Sequence, residues 1–102
     1  MGQFNYRVEF EDFAKRHYVK KFLKKYKDKW IATELTIIAV CEHIDNMFLY
    51  DRADIISENG IYKLVKLDFA VEGTHTSPKT SGNRCVLFVD ESTHLVKILL
   101  VY

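Results

Sequence analysis

The sequence has few of the residues that mark secreted, membrane-spanning or metal-binding proteins. Among 102 residues there are only two cysteines, one proline and four glycines. Cys41 and Cys85 form neither a CxxC motif nor a close pair, so we interpret them as reduced thiols. The N-terminus lacks the features of a signal peptide, and no stretch approaches the roughly 18–20 apolar residues that span a bilayer. We therefore expect a cytoplasmic protein without a membrane partner.

Signatures of several enzyme classes are also missing. There is no glycine-rich phosphate loop, no nucleophile triad and no paired-carboxylate pattern. Cys41, Glu42 and His43 are adjacent in sequence, whereas ligands that share a helix face are three or four residues apart. The sequence thus predicts neither a metal site nor a cofactor.

What is present is an ordinary globular composition, with 48% hydrophobic, 28% charged and 14% aromatic residues. This balance gives no sign of disorder, and the length suits one hydrophobic core. We predict a single domain over residues 1–102.

The charges are unevenly distributed, although the net charge is only +1. Eight of the fifteen Lys and Arg residues fall between Lys15 and Lys29, where Asp28 is the only acid. Residues 34–58 are acidic, with Arg52 as their only cation. The basic segment can meet nucleic acid or can form a solvated helix face, and the sequence leaves both interpretations open.

Hydrophobic periodicity predicts the elements of the first half of the chain. Residues 5–10 alternate as in a half-buried strand. A helix with Asp12 as its candidate N-cap follows, and a second helix is predicted to begin near Thr33 and to end near residues 49–51. The stripe expected to be buried on the first helix is Val19, Phe22, Leu23, Tyr26 and Trp30. On the second helix it is Ile37, Val40, Cys41, Ile44, Met47 and Phe48.

The second half of the chain predicts three strands. After a turn at residues 58–60, apolar odd positions from Val65 to Val71 indicate a long amphipathic strand. Residues 73–83 hold two glycines, the only proline and five Ser or Thr residues, which is typical of a loop. Strands follow at residues 84–90, where Cys85 is predicted to be buried, and at 95–102. The order β-α-α-β-β-β predicts an α+β fold in which a helical hairpin packs on a small, mostly antiparallel sheet.

This order resembles that of the RelE/ParE toxin superfamily. In RelE-like members, a strand with a Tyr-Lys-x-Lys-Leu-like sequence leads to a Ser-Gly-x-Arg turn and then to an apolar hairpin. The matching segments here are IYKLVKL at 61–67, SGNRCVLFVD at 81–90 and VKILLVY at 96–102. The architecture covers the whole chain, and the motif-level match covers residues 61–102.

The resemblance implies the toxin of a type II toxin–antitoxin pair, neutralised by a cognate antitoxin protein. RelE-like members cut mRNA in the ribosomal decoding site without a metal, whereas ParE-like members poison DNA gyrase. The first activity, with the ribosome and mRNA as partners, is the main hypothesis. A gyrase inhibitor, or a toxin fold kept as a non-catalytic binding module, is the alternative.

Three residues match the family's catalytic positions. Lys63 corresponds to the first strand lysine, Lys66 loosely to the second, and Arg84 to the arginine of the turn. Cleavage without a metal needs a base for the 2′-OH, positive charge for the phosphate and a proton donor for the leaving oxygen. Arg84 suits the phosphate because its planar fork can bind two oxygens, and Lys63 or Lys66 is the candidate base or charge stabiliser. The alternative is that all three are ordinary solvent-face residues.

Further residues are candidates for RNA binding. Each has a simpler interpretation as a solvated charge or as a packing residue. They are Lys20, Lys24 and Lys27 of the basic helix, Tyr62 and Tyr102 as stacking platforms, and His75 and Lys79 of the loop.

The sequence departs from the family pattern in three ways. Lys63 and Lys66 are three residues apart and lie on opposite faces of a regular strand, unless a bulge separates them. The loop 73–83 is longer than the family's turn. RelE-like toxins also carry active-site residues after the last strand, whereas this sequence stops at Tyr102, so we expect either that tail or the activity to be missing.

Overall fold

In the computed structural model of the chain, the described residues are 5–49 and 53–102. They form a five-stranded sheet and several helices. The strands are β1 (Arg7–Phe10), β2 (Ala53–Asn59), β3 (Tyr62–Phe69), β4 (Asn83–Asp90) and β5 (Leu95–Val101). The helices are α1 (Asp12–Ala14), α2 (Lys20–Tyr26), α3 (Asp28–Glu42), α4 (Ile44–Leu49) and α5 (Pro78–Ser81), with a π-helical segment, Lys15–Val19, between α1 and α2.

The strands are arranged in the order β1-β5-β4-β3-β2. The pairs β2–β3, β3–β4 and β4–β5 are antiparallel, and β1 pairs with β5 in parallel. The three C-terminal strands therefore form the predicted antiparallel meander, and β5 lies inside the sheet, as its apolar sequence indicates. The predicted α+β class is confirmed.

Helices α2, α3 and α4 pack on one face of the sheet, which we call the inner face. Alternate residues of the three C-terminal strands enter this core, because successive side chains of a strand point to opposite faces. They meet Trp30, Ile37 and Cys41 of α3. The buried inner-face residues are Val65, Leu67, Phe69, Cys85, Leu87, Val89, Val96, Ile98 and Val101.

The helical segments begin and end at other residues than the sequence predicts. Asp12 is the first helical residue and not the cap, and Glu11, at the N-cap, makes no side-chain cap bond. The joint between α2 and α3 lies at Lys27, whose φ of 52° breaks the helix six residues before the predicted start. Thr33 is buried within α3, where its hydroxyl donates to the Lys29 carbonyl and accepts from the Glu72 N–H. Thr33 thus joins α3 to the segment after β3.

Two details of the predicted helix stripes are corrected. Leu23 is 43% exposed and is not part of the core, although its neighbours Phe22 and Tyr26 are half-buried. The second predicted helix is divided at His43 into α3 and α4. The side chain of Phe48 lies outside the part of the structure that is described.

Strand β2 is missing from the predicted order β-α-α-β-β-β. It forms a hairpin with β3 through Gly60 and Ile61, and Gly60 adopts a φ of 61°, which glycine tolerates without a steric penalty. Only Ala53 of this edge strand is buried. A strand exposed on both sides has no alternation of apolar and polar residues, so the hydrophobic pattern could not reveal it.

The predicted loop 73–83 contains a short helix. Ser77 caps α5 by accepting a hydrogen bond from the Thr80 N–H at 3.3 Å, and Pro78 occupies the first helical turn, where its missing N–H is not needed. Gly82 ends the helix with a φ of 82°. The capped helix and the Gly82 turn therefore fix the direction in which the chain enters β4.

None of the helices in the described part of the chain is long and apolar enough to span a bilayer. Among residues 5–49 and 53–102, no group of three or more His, Cys, Asp or Glu side chains is placed to hold a metal ion.

Burial makes both cysteines unreactive, and this can be tested. It raises the pKa of Cys41 to about 12 and moves the pKa of Cys85 well above its usual value. At about pH 8 both groups are protonated and shielded, and thiolates are the reactive form. We expect no reaction of the folded protein with a disulfide reagent such as Ellman's, and two reactive thiols per chain after unfolding in guanidinium. Rapid labelling of the native protein would contradict this core.

Candidate functional site

The sheet face opposite helices α2, α3 and α4, the outer face, carries Lys66 and Arg84, two of the three predicted catalytic residues. Cross-strand pairing arranges its side chains in rows. One row contains Asp68 of β3, Arg84 of β4 and Tyr102, whose backbone N–H and carbonyl pair with those of Arg84. The next row contains Asp54, Lys66, Val86 and Leu100. Lys66 is thus a diagonal neighbour of Arg84, at a Cβ separation of about 7–8 Å.

The Arg84 guanidinium is fixed by three intramolecular contacts. Its Nε lies 2.8 Å from Asp68 Oδ1, and its Nη1 donates to the Asn83 carbonyl at 2.8 Å. A weaker bond of 3.4 Å runs from Nη2 to the Lys79 carbonyl. Only 22% of the Arg84 side chain is exposed, and 8% of that of Asp68. Because an arginine has five N–H donors, two remain for a bound anion.

Lys66 and Tyr102 are the accessible members of this cluster. Lys66 is half-buried and makes no ion pair within residues 5–49 and 53–102. Tyr102 is 50% exposed and lies directly opposite Arg84. The outer face thus presents a fixed guanidinium, an unpaired ammonium group and a phenol at one end of the sheet.

Lys63 is not part of this cluster. The pairing of β3 with β4 runs without a shift from Tyr62 to Phe69, so no bulge brings Lys63 to the face of Lys66. The single shift on the other side of β3 lies in β2, at Ile56. Lys63 Nζ instead lies 2.6 Å from Glu91 Oε2, and 14% of the Lys63 side chain is exposed. The structure therefore separates the two lysines that the sequence motif places together.

Tyr62 lies at the opposite end of the outer face from Arg84. It is six residues before Asp68 on the same strand, a distance of about 20 Å. Its ring stacks on Phe88 with a centroid separation of 5.6 Å. Its cross-strand partner Asp90 is engaged in the β4–β5 turn, where hydrogen bonds, chiefly from the Ser92 hydroxyl, lower the pKa of Asp90. At this end of the outer face, both Tyr62 and Asp90 are therefore engaged in contacts within the protein.

The two candidate loop residues lie in different surroundings. His75 is exposed with a φ of 59° and lines a cavity of about 420 Å³ between α3 and the segment after β3. Lys79 belongs to α5, and its carbonyl contacts Arg84. Of the two, only Lys79 touches the outer-face cluster.

The basic segment forms an exposed cationic surface. Lys20 and Lys24 are exposed on α2, and Lys27 is exposed at the joint with α3. No ion pair to these three lysines occurs in the described part of the chain. Their charges are therefore available to an external anion.

Asp68 is the member of the cluster that sequence reasoning missed. In the sequence it is one of several polar residues of an amphipathic strand. Its role depends on the register of β3 against β4, which pairs it with Arg84, and no local pattern encodes that register.

Comparisons with known proteins support the fold. No known protein family and no curated protein matches the sequence. Among solved structures, the chain is similar to the one described as the archaeal RelE–RelB complex from Pyrococcus horikoshii OT3. The TM-score is 0.65 at 15% sequence identity, and the match covers 95% of this chain and 92% of that chain. The chain therefore has a RelE-like fold.

Proposed function

We propose that this protein is the toxin of a type II toxin–antitoxin pair and that it inhibits translation by cutting ribosome-bound mRNA without a metal. The observation that carries the proposal is the placement of Arg84, Lys66 and Tyr102 together on the open face of a RelE-like sheet. If helices covered this face of the sheet, the same residues would be inaccessible to a polymer such as RNA.

Arg84 is the phosphate-binding group in this proposal. Its contacts to Asp68, Asn83 and Lys79 leave two N–H donors unused, and they hold the guanidinium in one orientation. A donor fixed in advance stabilises the charge that develops on a phosphate without the cost of reorganisation. The Asp68 carboxylate reduces the net charge of the pair, so the neighbouring cation matters as well.

Lys66 supplies that neighbouring cation. Its ammonium group, unpaired in the described part of the chain, can stabilise the pentacoordinate phosphate, whereas only the neutral amine form of the same side chain can take the proton of the 2′-OH as the base. Tyr102 offers a hydroxyl for the leaving oxygen and a ring on which a base can stack. Lys63, in its ion pair with Glu91, contributes to the hairpin and not to this chemistry.

The partners follow from the same surfaces. The similar solved structure is a complex of RelE with RelB, and we propose a cognate antitoxin protein for this chain. The exposed lysines of α2, together with Lys27, would contact ribosomal RNA, since each neutralised phosphate adds salt-dependent affinity. The ribosome and its mRNA are then the target.

A second candidate function is a non-catalytic one, either gyrase inhibition or a binding module. Two ion pairs favour it, because Arg84 with Asp68 and Lys63 with Glu91 each neutralise a cation that the motif assigns to catalysis. A direct comparison of mRNA cleavage with inhibition of DNA supercoiling by gyrase separates the two candidates.

Replacing Arg84 tests the phosphate role. In a cell-free translation assay we expect Arg84→Ala to weaken inhibition by about 100-fold, the typical effect of losing one fixed transition-state donor. The matched control is Arg7→Ala, which removes an arginine paired with Glu9 on the edge strand β1. This control should inhibit as the wild type does.

A folding control is needed, because Arg84→Ala leaves the buried Asp68 without its partner. The double variant Arg84→Ala/Asp68→Ala removes both charges, and its thermal unfolding should be closer to that of the wild type. If either folded variant inhibits translation as strongly as the wild type, Arg84 has no role in activity.

Growth provides the test of the toxin–antitoxin assignment. We expect expression of this chain alone to arrest growth, and co-expression of the adjoining small reading frame to restore it, because the antitoxin covers the toxin's working surface. The measurement is the colony count after induction, with and without the second reading frame. Normal growth with abundant folded protein would overturn the assignment.

A further inference from the structure

A second cleft lies on the helical side of the sheet, at the start of β4. It has a volume of about 190 Å³ and is lined by Lys21, Phe22, Lys25, Tyr26 and Asn83. Four of these residues belong to α2, and the fifth begins the strand that carries Arg84. The cleft thus lies between the basic helix and the residue that directly precedes Arg84.

The cleft combines charge with an aromatic surface. Lys21 and Lys25 are exposed, and neither forms an ion pair with another described residue. Lys25 Nζ lies 5.2 Å from the centroid of the Tyr26 ring. Such a pairing of lysine and tyrosine can contact a phosphate and a base of the same nucleotide.

Tyr26 is the outermost ring of an aromatic series that ends in the core. Its ring stacks with Phe22 at 6.0 Å, and Phe22 stacks with the buried Trp30 at 4.8 Å. Phe69 packs against both Phe22 and Trp30. Tyr26 is therefore held rigidly while it remains half-buried, and a rigid ring loses little entropy when a base stacks on it.

Asn83 adds a group that can recognise a base edge. Its backbone bonds to Ser81 and Arg84, but its side-chain amide has no hydrogen-bond partner among the described residues. An amide offers both a donor and an acceptor, as the edges of nucleobases do. The backbone carbonyl of Asn83 accepts a hydrogen bond from Arg84 Nη1. The residue that carries the side-chain amide therefore also contacts the Arg84 guanidinium.

We propose that this cleft binds one nucleotide of single-stranded RNA, with its base on Tyr26, its edge at Asn83 and its phosphate between Lys21 and Lys25. The inference deepens the proposed function: a strand whose phosphate lies at Arg84 continues past the start of β4 into the cleft. The cleft is then a positioning site for the nucleotide next to the cut. An acidic peptide without aromatic residues would use the two lysines but would offer no ring to stack on Tyr26.

Equilibrium binding to a fluorescent single-stranded RNA of about ten nucleotides tests this site on the purified full chain, without ribosomes. We expect Lys21→Ala/Lys25→Ala to weaken binding about 30-fold, because a fixed phosphate contact is lost. The matched variant Lys20→Ala/Lys24→Ala removes the same charge from the same helix outside the cleft. This variant should weaken binding only about threefold, because it lowers the overall positive charge of the helix without removing a direct phosphate contact.

The aromatic contact is tested separately. Tyr26→Leu should weaken binding about tenfold, as expected for one lost stacking contact, whereas Tyr26→Phe keeps the ring and should bind as the wild type does. Asn83→Ala provides a variant that leaves the helix intact, and it should alter the preference among oligomers of single bases. Circular dichroism checks that each variant is folded.

Three results would contradict the proposal that the cleft binds RNA. They are equal losses for the two double-lysine variants, wild-type binding by a folded Tyr26→Leu, and displacement of the RNA by polyglutamate at an equal concentration of charge. The last result would assign the surface to an acidic protein partner.

The translation assay keeps the two proposals distinguishable. If the wild type binds RNA through the cleft but leaves translation unaffected, the proposed function is wrong and the proposed RNA site in the cleft stands. If the wild type inhibits translation while Lys21→Ala/Lys25→Ala binds and inhibits as the wild type does, only the proposed RNA site in the cleft is wrong.

Discussion

Coverage of one face of the sheet by helices α2, α3 and α4 is the constraint on which the rest of the structure depends. Alternation along β3, β4 and β5 sends one set of side chains into the core with Trp30 and Ile37, and this burial provides the hydrophobic stabilisation. The same alternation obliges the other set to face outward. Every residue of the outer-face cluster is therefore fixed in position by the packing of its neighbours in sequence, such as Leu67 beside Lys66 and Cys85 beside Arg84.

Charge pairing then determines which cations are available for function. Arg84 and Lys63 are each held by a carboxylate, from Asp68 and Glu91 respectively, whereas Lys66 and the lysines of α2 have no ion-pair partner in the described part of the chain. The paired guanidinium keeps free N–H donors in a fixed orientation, and the unpaired ammonium groups provide net positive charge. Orientation and net positive charge thus come from different residues.

The sequence predicted well what periodicity encodes and poorly what depends on register or exposure. The three C-terminal strands and the buried Cys85 follow from alternation, and both are present in the structure. Strand β2 has almost no buried residue and therefore no alternation of apolar and polar positions. The helix break lies at Lys27, which adopts a positive φ, and the sequence has no glycine there to indicate it. For the site, the sequence grouped Lys63, Lys66 and Arg84 as catalytic candidates and named Tyr102 apart from them as a stacking platform. Cross-strand register shows that Lys66, Arg84 and Tyr102 are neighbours and that no bulge brings Lys63 to their face.

Mapping the 5′ ends of a defined mRNA by primer extension, in a purified translation system with and without ribosomes, is the most direct measurement of the proposed activity. Addition of this protein should produce new 5′ ends within the coding region only when ribosomes are present. Inhibition of translation with the mRNA uncut, or unimpaired translation by the folded protein, would contradict the assignment of the outer face as an RNA-cleaving surface.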